Sequence, residues 1–251
     1  IFEERIGCVP NMKVSLVLRS DAQPVFTRER DVPYALRSRV EKELDTLENA
    51  GIITPVTTSD WGSPLVVILK PDGTVRLCVD YKCGVNDRLV SSNFPIRRID
   101  DVLCSLRNSK FYCKLGLHKA YLHICVDEKS SEVQTIATHR GTYSMNRLSF
   151  GIKTAPSIFN QIMSQIIQGL PKTEAYFDDV VCHGATYEEC AQNLRACLRR
   201  LSEYDLHLNR NKCEFFATRI EYLGHVIECN RIMKSPMKVA AVSEMPRPKN
   251  V

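Results

Sequence analysis

Two adjacent aspartates, Asp178 and Asp179, interrupt an apolar run in residues 175–184, which read AYFDDVVCHG. The strand-forming residues on either side predict a β-hairpin that carries the pair at its tip. A stiff hairpin that projects carboxylate oxygens suits Mg²⁺, which prefers oxygen ligands. Because Asp also bonds its own backbone in ordinary turns, the pair by itself is more typical of simple turn chemistry. A metal site therefore needs support from the rest of the chain.

The composition of the 251-residue chain, 44% apolar and 25% charged, is that of an ordinary globular protein of one large or two small domains. Its longest apolar stretches resemble LVVIL at residues 65–69, far short of the roughly 20 residues that a membrane helix requires. No membrane association is therefore expected. The first residues, IFEERIGCVP, contain no signal-peptide pattern and no initiator Met, and read as an excerpt from a longer product.

Eleven cysteines are spread along the chain without a C-x-x-C motif and without His at zinc-ligand spacing from a Cys pair. Cys78, Cys113, Cys125 and Cys182 fall within strand-like segments, where a thiol acts as a small apolar group. This usage favours reduced thiols and an intracellular protein, cytoplasmic or nuclear, rather than a secreted one.

The net charge of +5 comes from the last quarter of the chain. Residues 195–251 contain eleven Lys and Arg against six Asp and Glu, whereas the preceding residues contain 23 of each kind. A basic end suits contact with a phosphate backbone. Taken alone, however, such a surplus is more typical of a solvated surface.

Hydrophobic spacing predicts four main helices. The first spans residues 33–50, between a proline and a glycine that suit its two ends. A short helix follows at residues 98–106, and a third helix begins at Pro156. The fourth begins at Thr186, which has capping-box spacing to Glu189.

Strands are predicted between these helices. Residues 71–73, Pro-Asp-Gly, and residues 139–142 mark hairpin turns. Strand patterns occur at residues 75–80, 111–117, 121–127 and 222–227 and around Phe215. The mixed order, with hairpins rather than regular βαβ units, favours an α+β fold. Two prolines within residues 245–251 read as the start of an interdomain linker.

Seven segments resemble, in the correct order, the reverse transcriptases of gypsy-type (long-terminal-repeat) retroelements. They are residues 32–56, 59–82, 94–103, 114–121, 148–163, 175–184 and 221–227. The resemblance covers essentially the whole chain and implies a right-hand polymerase fold with fingers and a palm, whose antiparallel sheet packs on helices. It implies this division: a polyprotein lead-in at 1–33, fingers at 34–95 and 128–150, palm at 96–127 and 151–228, and the start of a thumb or connection at 229–251.

The resemblance also implies roles for individual residues. Asp178 and Asp179 would be ligands of catalytic Mg²⁺ or Mn²⁺, where two ions activate the primer 3′-hydroxyl and stabilise the leaving pyrophosphate. Arg76 would hold the triphosphate of the incoming nucleotide, since its guanidinium is fixed in charge and bidentate, with Lys70 a weaker candidate nearby. Without the resemblance, Arg76 is simply an exposed strand residue.

Further positions are implied to shape the nucleotide and primer sites. Tyr121 would lie under the sugar and exclude a 2′-hydroxyl, and Phe150 and Gly151 would flank the nucleotide pocket. The residues implied to lie against the primer end are Leu223, Gly224 and His225. From the residues alone, Tyr121 and Phe150 also fit a packing role, and a histidine at a turn also fits an ordinary surface position.

Three positions depart from the family pattern. The family's K-L-D-L reads Lys-Leu-Gly-Leu at residues 114–117, so Gly116 replaces the Asp that bridges the two metals. A glycine has no rotamer that supplies a ligand, and within a strand it costs roughly 0.5–1 kcal/mol relative to Ala, so no structural benefit is expected from it. Ser149 replaces Pro, and polar residues 172–174 are expected to weaken the strand that aims Asp178.

The expected function is that of a reverse transcriptase domain, an RNA-directed DNA polymerase, with activity lowered at least about 10³-fold by the loss at Gly116. Asp127 and Glu128 are expected to lie too far away to substitute. Binding of Mg²⁺ or Mn²⁺ is expected to be weak and to improve in Gly116→Asp. The implied partners are an RNA or DNA primer–template, deoxynucleoside triphosphates, and ribonuclease H and integrase domains of the same polyprotein. The alternatives are a non-catalytic nucleic-acid-binding module and a decayed retroelement fragment without a present role.

Overall fold

The computed structural model describes residues 1–3, 5–92, 94–228 and 231–245 of the chain. Its helices are α1 (Tyr34–Asn49), α2 (Val85–Arg88), α3 (Ile99–Ser105), α4 (Glu128–Val133), α5 (Ala155–Ile167), α6 (Tyr187–Glu203) and α7 (Pro236–Ser243). Its strands are β1 (Lys13–Val14), β2 (Ile53–Val56), β3 (Ser63–Leu69), β4 (Val75–Val79), β5 (Phe111–Gly116), β6 (Cys125–Val126), β7 (Ile136–Thr138), β8 (Gly141–Met145), β9 (Thr173–Tyr176), β10 (Asp179–Gly184), β11 (Glu214–Ala217), β12 (Arg219–Tyr222), β13 (His225–Glu228) and β14 (Arg231–Lys234). Helices and hairpins alternate along the chain, as the α+β prediction requires.

Four sheets organise the strands of the described residues. The largest has the order β2-β8-β7-β3-β4, and a four-stranded sheet has the order β11-β5-β10-β9. The others are the three-stranded sheet β12-β13-β14 and the parallel pair β1-β6. Every neighbouring pair in the four-stranded sheet is antiparallel. This sheet therefore has the character expected of the palm.

Helix α1 begins and ends where its sequence predicts. Pro33 occupies the position before the first helical residue, and Gly51 follows the helix with φ +66°. Val40 and Leu44 are buried in the cluster that also contains the inner side chains of the five-stranded sheet. The buried stripe is the one that the helical spacing indicates.

Helices α5 and α6 cover one face of the four-stranded sheet. Phe159 of α5 and Leu194 of α6 lie in the same buried cluster as Val180 of β10. The Thr186 hydroxyl accepts a hydrogen bond from the Glu189 N–H at 3.2 Å, so the predicted helix cap is present. Neither these helices nor any other helix in the described ranges is long and apolar enough to cross a membrane.

Residues 121–127 differ from the single strand that their sequence predicts. The structure has a 3₁₀ turn at Ala120–His123, followed by the two-residue strand β6. Lys119 adopts φ +45°, which turns the chain away from the line of β5. Apolar residues here mark a buried turn, in which Ile124 is completely enclosed. The sequence patterns also do not indicate β14 or α7, and residues 246–251 of the expected linker lie outside the described residues.

Strand β9 forms despite the polar residues that are expected to weaken it. It pairs with β10 along its whole length. Thr173 is buried and donates its hydroxyl to the Pro171 carbonyl oxygen at 3.0 Å. Glu174 forms an ion pair with Arg97. The strand therefore forms with the polar side chains of Thr173 and Glu174 both paired.

A disulfide joins Cys8 to Cys125 across a sequence separation of 117 residues. The N-terminal segment reaches this point by running beside the residues before β6, where the Val9 N–H donates to the His123 carbonyl oxygen at 2.9 Å. The expectation of reduced thiols is wrong for this pair, because the spacing of cysteines in the sequence does not reveal a contact over this distance. The other cysteines of the described ranges are free.

Ser149, where the family pattern has Pro, is tied to the core through its backbone. Its N–H donates to Oε1 of the buried Gln134 at 2.9 Å. Proline has no N–H and cannot make this bond. The Gln134 amide group in turn donates to the Arg147 carbonyl oxygen at 3.2 Å. Serine at position 149 therefore completes a buried polar network.

Replacing Ser149 with Pro should lower the free energy of unfolding by about 1–3 kcal/mol, because the amide oxygen of Gln134 stays buried without its donor. Ser149→Ala is the matched control, since it keeps the N–H and removes only the hydroxyl. Urea denaturation of both variants measures the difference. Equal losses in the two variants would contradict a role for the backbone bond.

His123 is completely buried and has the hydrogen-bond partners of a neutral ring. Its Nδ1 lies 3.3 Å from the Ala120 carbonyl oxygen, and its Nε2 accepts from the His207 N–H at 3.2 Å. One ring nitrogen thus donates and the other accepts, which is the pattern of uncharged imidazole. Burial lowers the pKa of His123 to about 4, and burial also lowers the pKa of His183 to about 4.

Stability should therefore fall as the pH is lowered from about 6.5 towards 4, because the unfolded chain takes up protons at these histidines before the folded chain does. His123 contributes on the order of 3 kcal/mol to the free energy of unfolding. This contribution is fully present above about pH 6.5 and is lost as the pH falls towards 4. His123→Gln should reduce the slope of the unfolding free energy against pH. The remaining slope would come from His183, which the variant keeps. Urea denaturation across this pH range is the measurement, and equal slopes in the parent and the variant would contradict the prediction.

Candidate active site

The Asp pair lies at the tip of the hairpin formed by β9 and β10. Tyr176 pairs with Asp179 across the hairpin, so Phe177, at φ +53°, and Asp178 form the connection. The Leu117 N–H donates to the Asp178 carbonyl oxygen at 2.9 Å and fixes the tip to the end of β5. The structure thus places both carboxylates on a rigid hairpin.

Strand β5 brings Gly116 directly opposite Asp179. The antiparallel register pairs these two residues and continues into the buried pair of Val180 and Leu115. A carboxylate at position 116 would therefore lie beside the Asp pair. With glycine at this position, the strand offers no side chain there.

A lysine that the sequence patterns do not single out occupies this region. Lys212 ends the 3₁₀ turn Arg210–Lys212, which precedes β11. Its Nζ lies 3.6 Å from Oδ2 of Asp178. The one sequence signal that includes this residue is the basic surplus of residues 195–251, and that surplus does not specify a position.

The space beside Gly116 is already filled by this lysine. A Cβ added to Gly116 would lie 2.5 Å from the Cβ and 3.1 Å from the Cδ of Lys212, well inside the usual packing distance of carbon atoms. The expectation that Gly116 has no structural benefit is therefore wrong, since the glycine makes room for Lys212. The expectation that Gly116→Asp improves metal binding stays a prediction, and the new side chain would have to displace Lys212.

The electrostatic surroundings of the pair are mixed. Burial raises the pKa of Asp179 above its ordinary value. The ammonium groups of Lys114 and Lys212 oppose this rise in pKa, whereas the negative charge of Asp178 adds to it. The two carboxylates therefore sit among two cations supplied by the chain itself.

The donor set at the tip does not fit a two-metal centre. Asp178 and Asp179 come from one hairpin, and in the described ranges no three His, Cys, Asp or Glu side chains come together in a way that could hold a metal ion. Asp127 is engaged at the start of α4, where it accepts from the Ser130 N–H at 2.8 Å. Glu128 is the first residue of that helix. The expectation that these two acids lie too far from the Asp pair to substitute stays a prediction.

Two consecutive side-chain contacts connect Arg76 to Phe150 and Phe150 to Tyr121. The Arg76 guanidinium carbon lies 5.2 Å from the centre of the Phe150 ring, over its face. Phe150 meets Tyr121 edge-on, with 6.0 Å between ring centres, and remains 57% exposed. Burial raises the pKa of Tyr121, and the charge of Asp178 adds to the rise. An exposed cation, an exposed ring and a half-buried phenol therefore line one surface that leads toward the Asp pair.

Gly151 adjoins this cluster and needs to be glycine. Its φ is +99°, and an added Cβ would lie 3.0 Å from the Val79 carbonyl oxygen. The Asn86 side chain donates to the Gly151 carbonyl oxygen at 2.9 Å and fixes the loop. Lys70 lies at the turn of the β3–β4 hairpin, where its N–H donates to the Thr74 carbonyl oxygen at 2.8 Å.

Leu223 and Gly224 form the two-residue turn between β12 and β13, with φ values of +51° and +74°. Such values are typical of a tight hairpin turn. His225 follows, with its Nδ1 3.1 Å from the Leu223 carbonyl oxygen. The Lys114 ammonium donates to the Glu221 carbonyl oxygen at 3.0 Å and ties this hairpin to β5. The structure therefore attaches the segment implied to contact the primer to the sheet that carries the Asp pair.

A comparison with protein families matches residues 68–227 to the family described as "Reverse transcriptase (RNA-dependent DNA polymerase)". An uncharacterized protein of Caenorhabditis elegans is 34% identical over 250 residues, which cover 99% of this chain and 20% of that protein. The retrovirus-related Pol polyprotein from transposon opus of Drosophila melanogaster is 32% identical over 260 residues, which cover 100% of this chain and 26% of the polyprotein. The chain thus spans about a fifth to a quarter of the length of these curated relatives.

A solved structure of the foamy viral protease-reverse transcriptase in complex with double-stranded DNA shares the fold. It superimposes with a TM-score of 0.89 at 17% sequence identity, over 99% of this chain and 44% of that one. The expected reverse transcriptase fold is confirmed. Since the family match covers more than half of the chain and the relatives include Pol polyproteins of gypsy and opus, the chain belongs to the reverse transcriptases of gypsy-type long-terminal-repeat retroelements.

Proposed function

We propose that this domain binds an RNA or DNA primer–template and a deoxynucleoside triphosphate, but adds nucleotides very slowly or not at all. The observation that carries the proposal is the register of β5 and β10, which sets Gly116 opposite Asp179. The site therefore lacks a carboxylate that its family supplies from this strand. Loss of a charged group that acts on the transition state costs several kcal/mol, so the expected deficit is at least about 10³-fold.

Binding of nucleic acid is supported by the fold and by charge. The related foamy viral enzyme was solved in complex with double-stranded DNA and with an RNA/DNA hybrid. In this chain, the three-stranded sheet beside the Leu223–Gly224 turn exposes basic side chains that suit a phosphate backbone. They are Arg219, Arg231 and Lys234.

The nucleotide is proposed to lie on the surface formed by Arg76, Phe150 and Tyr121. Arg76 would bind the triphosphate and Phe150, whose ring is largely exposed, would contact the sugar or base. Tyr121 would exclude a 2′-hydroxyl, and Gly151 would allow close approach of the backbone. Lys70 is proposed only as a secondary contact, because it lies at the end of the hairpin.

The proposal extends to the protein of which this domain forms a part. Because the chain covers only about a fifth to a quarter of its relatives, ribonuclease H and integrase domains are proposed for the same polyprotein, which would be intracellular. Fingers at 34–95 and 128–150 and a palm at 96–127 and 151–228 are proposed on the separate five-stranded and four-stranded sheets. Residues 1–33 would be the lead-in and 229–251 the start of a thumb or connection.

Arg76→Ala should weaken nucleotide binding to the complex with primer–template by about ten-fold or more, because a charge-assisted contact to the triphosphate is lost. Arg76→Lys should recover only part of the affinity, since an ammonium group cannot bind in a bidentate manner. Lys70→Ala serves as the matched control and should have a smaller effect. Titration with a fluorescent deoxynucleotide is the measurement, and a larger loss in Lys70→Ala than in Arg76→Ala would contradict the assignment.

Primer extension on an RNA template with Mg²⁺ or Mn²⁺ should give little or no product from the parent domain under conditions where fluorescence anisotropy shows that primer–template is bound. Binding should weaken steeply with added salt, because basic side chains release counterions from the phosphates. An active parent would show that another group completes the site. The proposal would also be wrong if the folded domain did not bind primer–template.

A second candidate function is a binding module whose palm no longer supports catalysis even when the missing carboxylate is restored. The basic surplus of residues 195–251 favours this alternative, since binding to a phosphate backbone does not require an intact metal site. The variant Gly116→Asp/Lys212→Gly separates the two. Extension by this variant indicates a polymerase that lacks one ligand, whereas binding without extension indicates the module.

A further inference from the structure

A groove of about 730 Å³ lies between β2, an edge strand of the five-stranded sheet, and helix α4. This volume is in the range of sites that hold small-molecule ligands. The charged side chains in the described lining of this β2–α4 groove, together with one sulfur, are Lys13, Cys125, Glu128, Glu132 and Arg147. The described lining includes neither the Asp pair nor the Arg76–Phe150–Tyr121 surface, so the groove is separate from the candidate active site.

The groove presents charges of both signs. Glu128 and Glu132 stand four residues apart on α4, so they project from the same side of that helix. Lys13 and Arg147 reach the groove from other segments, and none of the four side chains forms an ion pair within the described ranges. Two carboxylates and two cations without ionic partners are complementary to a ligand that itself carries carboxylates and an ammonium group.

Cys125 gives the groove a reactive sulfur. Its disulfide partner, Cys8, is not among the described residues that line the groove. The Arg147 Nη1 lies 3.1 Å from the Cys125 Sγ and also donates to the Gly7 carbonyl oxygen at 3.1 Å. A guanidinium at this distance attracts an anionic sulfur nucleophile, and it stabilises Cys125 as a thiolate once the disulfide opens. A thiol that enters the groove therefore meets Cys125 with a cation beside it.

The N-terminal segment does not depend on the disulfide alone for its position. The Cys8 N–H donates to Oδ2 of Asp205 at 2.9 Å, and the Val9 N–H donates to the His123 carbonyl oxygen at 2.9 Å. The Val9 side chain is also buried in the core. Opening the disulfide thus releases the Cys8 sulfur while the backbone around it stays paired, so the folded domain can exchange the disulfide reversibly.

We propose that the β2–α4 groove binds a small zwitterionic thiol of the glutathione type, which exchanges with the Cys8–Cys125 disulfide. The carboxylates of the thiol pair with Lys13 and Arg147, and its ammonium group pairs with the two glutamates of α4. The incoming thiolate sulfur bonds to the Cys125 Sγ as the Cys8–Cys125 bond breaks. The electron pair of that bond passes to the Cys8 Sγ, which takes up a proton from water.

The exchange replaces one disulfide with another and needs no external oxidant. Its products are a mixed disulfide at Cys125 and a free thiol at Cys8, and attack by that thiol on the Cys125 Sγ reverses the reaction. Disulfides in reducing compartments are usually transient, catalytic or redox-sensing, in keeping with such an exchange. The inference concerns the folded domain and does not depend on nucleotide or nucleic-acid binding.

The reactive position is tested by treating the reduced domain with glutathione disulfide and mapping the adducts by peptide mass spectrometry. In Cys8→Ser, the Cys125 thiolate should displace one glutathione thiolate from the reagent and retain the other half as a trapped adduct. Cys125→Ser is the matched control, because it leaves Cys8 as the free sulfur. The Cys8 adduct should form about ten-fold more slowly, since the Arg147 guanidinium lies beside Cys125. Equal rates at the two sulfurs, or faster modification of Cys8, would overturn the proposal.

Recognition by the groove is tested by measuring how fast glutathione opens the disulfide of the parent domain. The rate should saturate as the glutathione concentration rises, and S-methylglutathione, which has no free thiol, should slow the reaction by competing for the groove. A rate strictly proportional to glutathione concentration, unaffected by S-methylglutathione, would show exchange without a binding site and would overturn the proposal.

The charges of the groove are tested with two exposed lysines. Lys13→Gln should lower the rate at subsaturating glutathione about three-fold, because an attraction to a carboxylate of the ligand is lost. Lys129→Gln is the matched control and should leave the rate unchanged, since Lys129 belongs to α4 but not to the described lining of the groove. Equal effects of the two substitutions would overturn the assignment of the groove as the binding site.

Discussion

The antiparallel pairing of β5 with β10 is the constraint on which the rest of the structure depends. Its ladder runs from Asp179 opposite Gly116 to Gly184 opposite Phe111. Val180 and Leu115 face the core under α5 and α6, whereas the neighbouring Val181 belongs to the cluster formed with α3 and the β12–β13 hairpin. A one-residue slip would exchange the two buried faces, so this register is strongly specified.

Because this pairing is held by packing and backbone hydrogen bonds, the fold does not depend on which side chains occupy the active site. The Asp hairpin is held by two apolar clusters and by backbone bonds such as that from Leu117 to Asp178. The Asp178 carboxylate contributes little to that packing, since its side chain is nearly half exposed. Glycine at position 116 therefore alters the site while the sheet, its helices and the Arg76–Phe150 surface remain in place.

The parts of the fold that sequence could predict are those set by local periodicity or by a short motif. Helix α1, the Thr186 cap and the Asp hairpin belong to this group, because the residues that determine each of them are close together in sequence. Two contacts could not be predicted in this way, because each joins segments about a hundred residues apart. They are the Cys8–Cys125 disulfide and the contact of Lys212 with Gly116. The sequence also does not distinguish the 3₁₀ turn at Ala120–His123 from a strand, because buried turns and strands share an apolar composition.

The two lysines around the Asp pair give the tip of the β9–β10 hairpin a zwitterionic character. Lys212 stands beside Asp178, and both Lys212 and Lys114 act on Asp179. The side chains of the chain itself thus bring as many positive groups as negative ones to the tip. A phosphodiester backbone approaching the palm would not meet the repulsion of two bare carboxylates, whatever the concentration of divalent ions. Arg219 and Arg231 of the neighbouring sheet are exposed and add positive charge to this part of the surface.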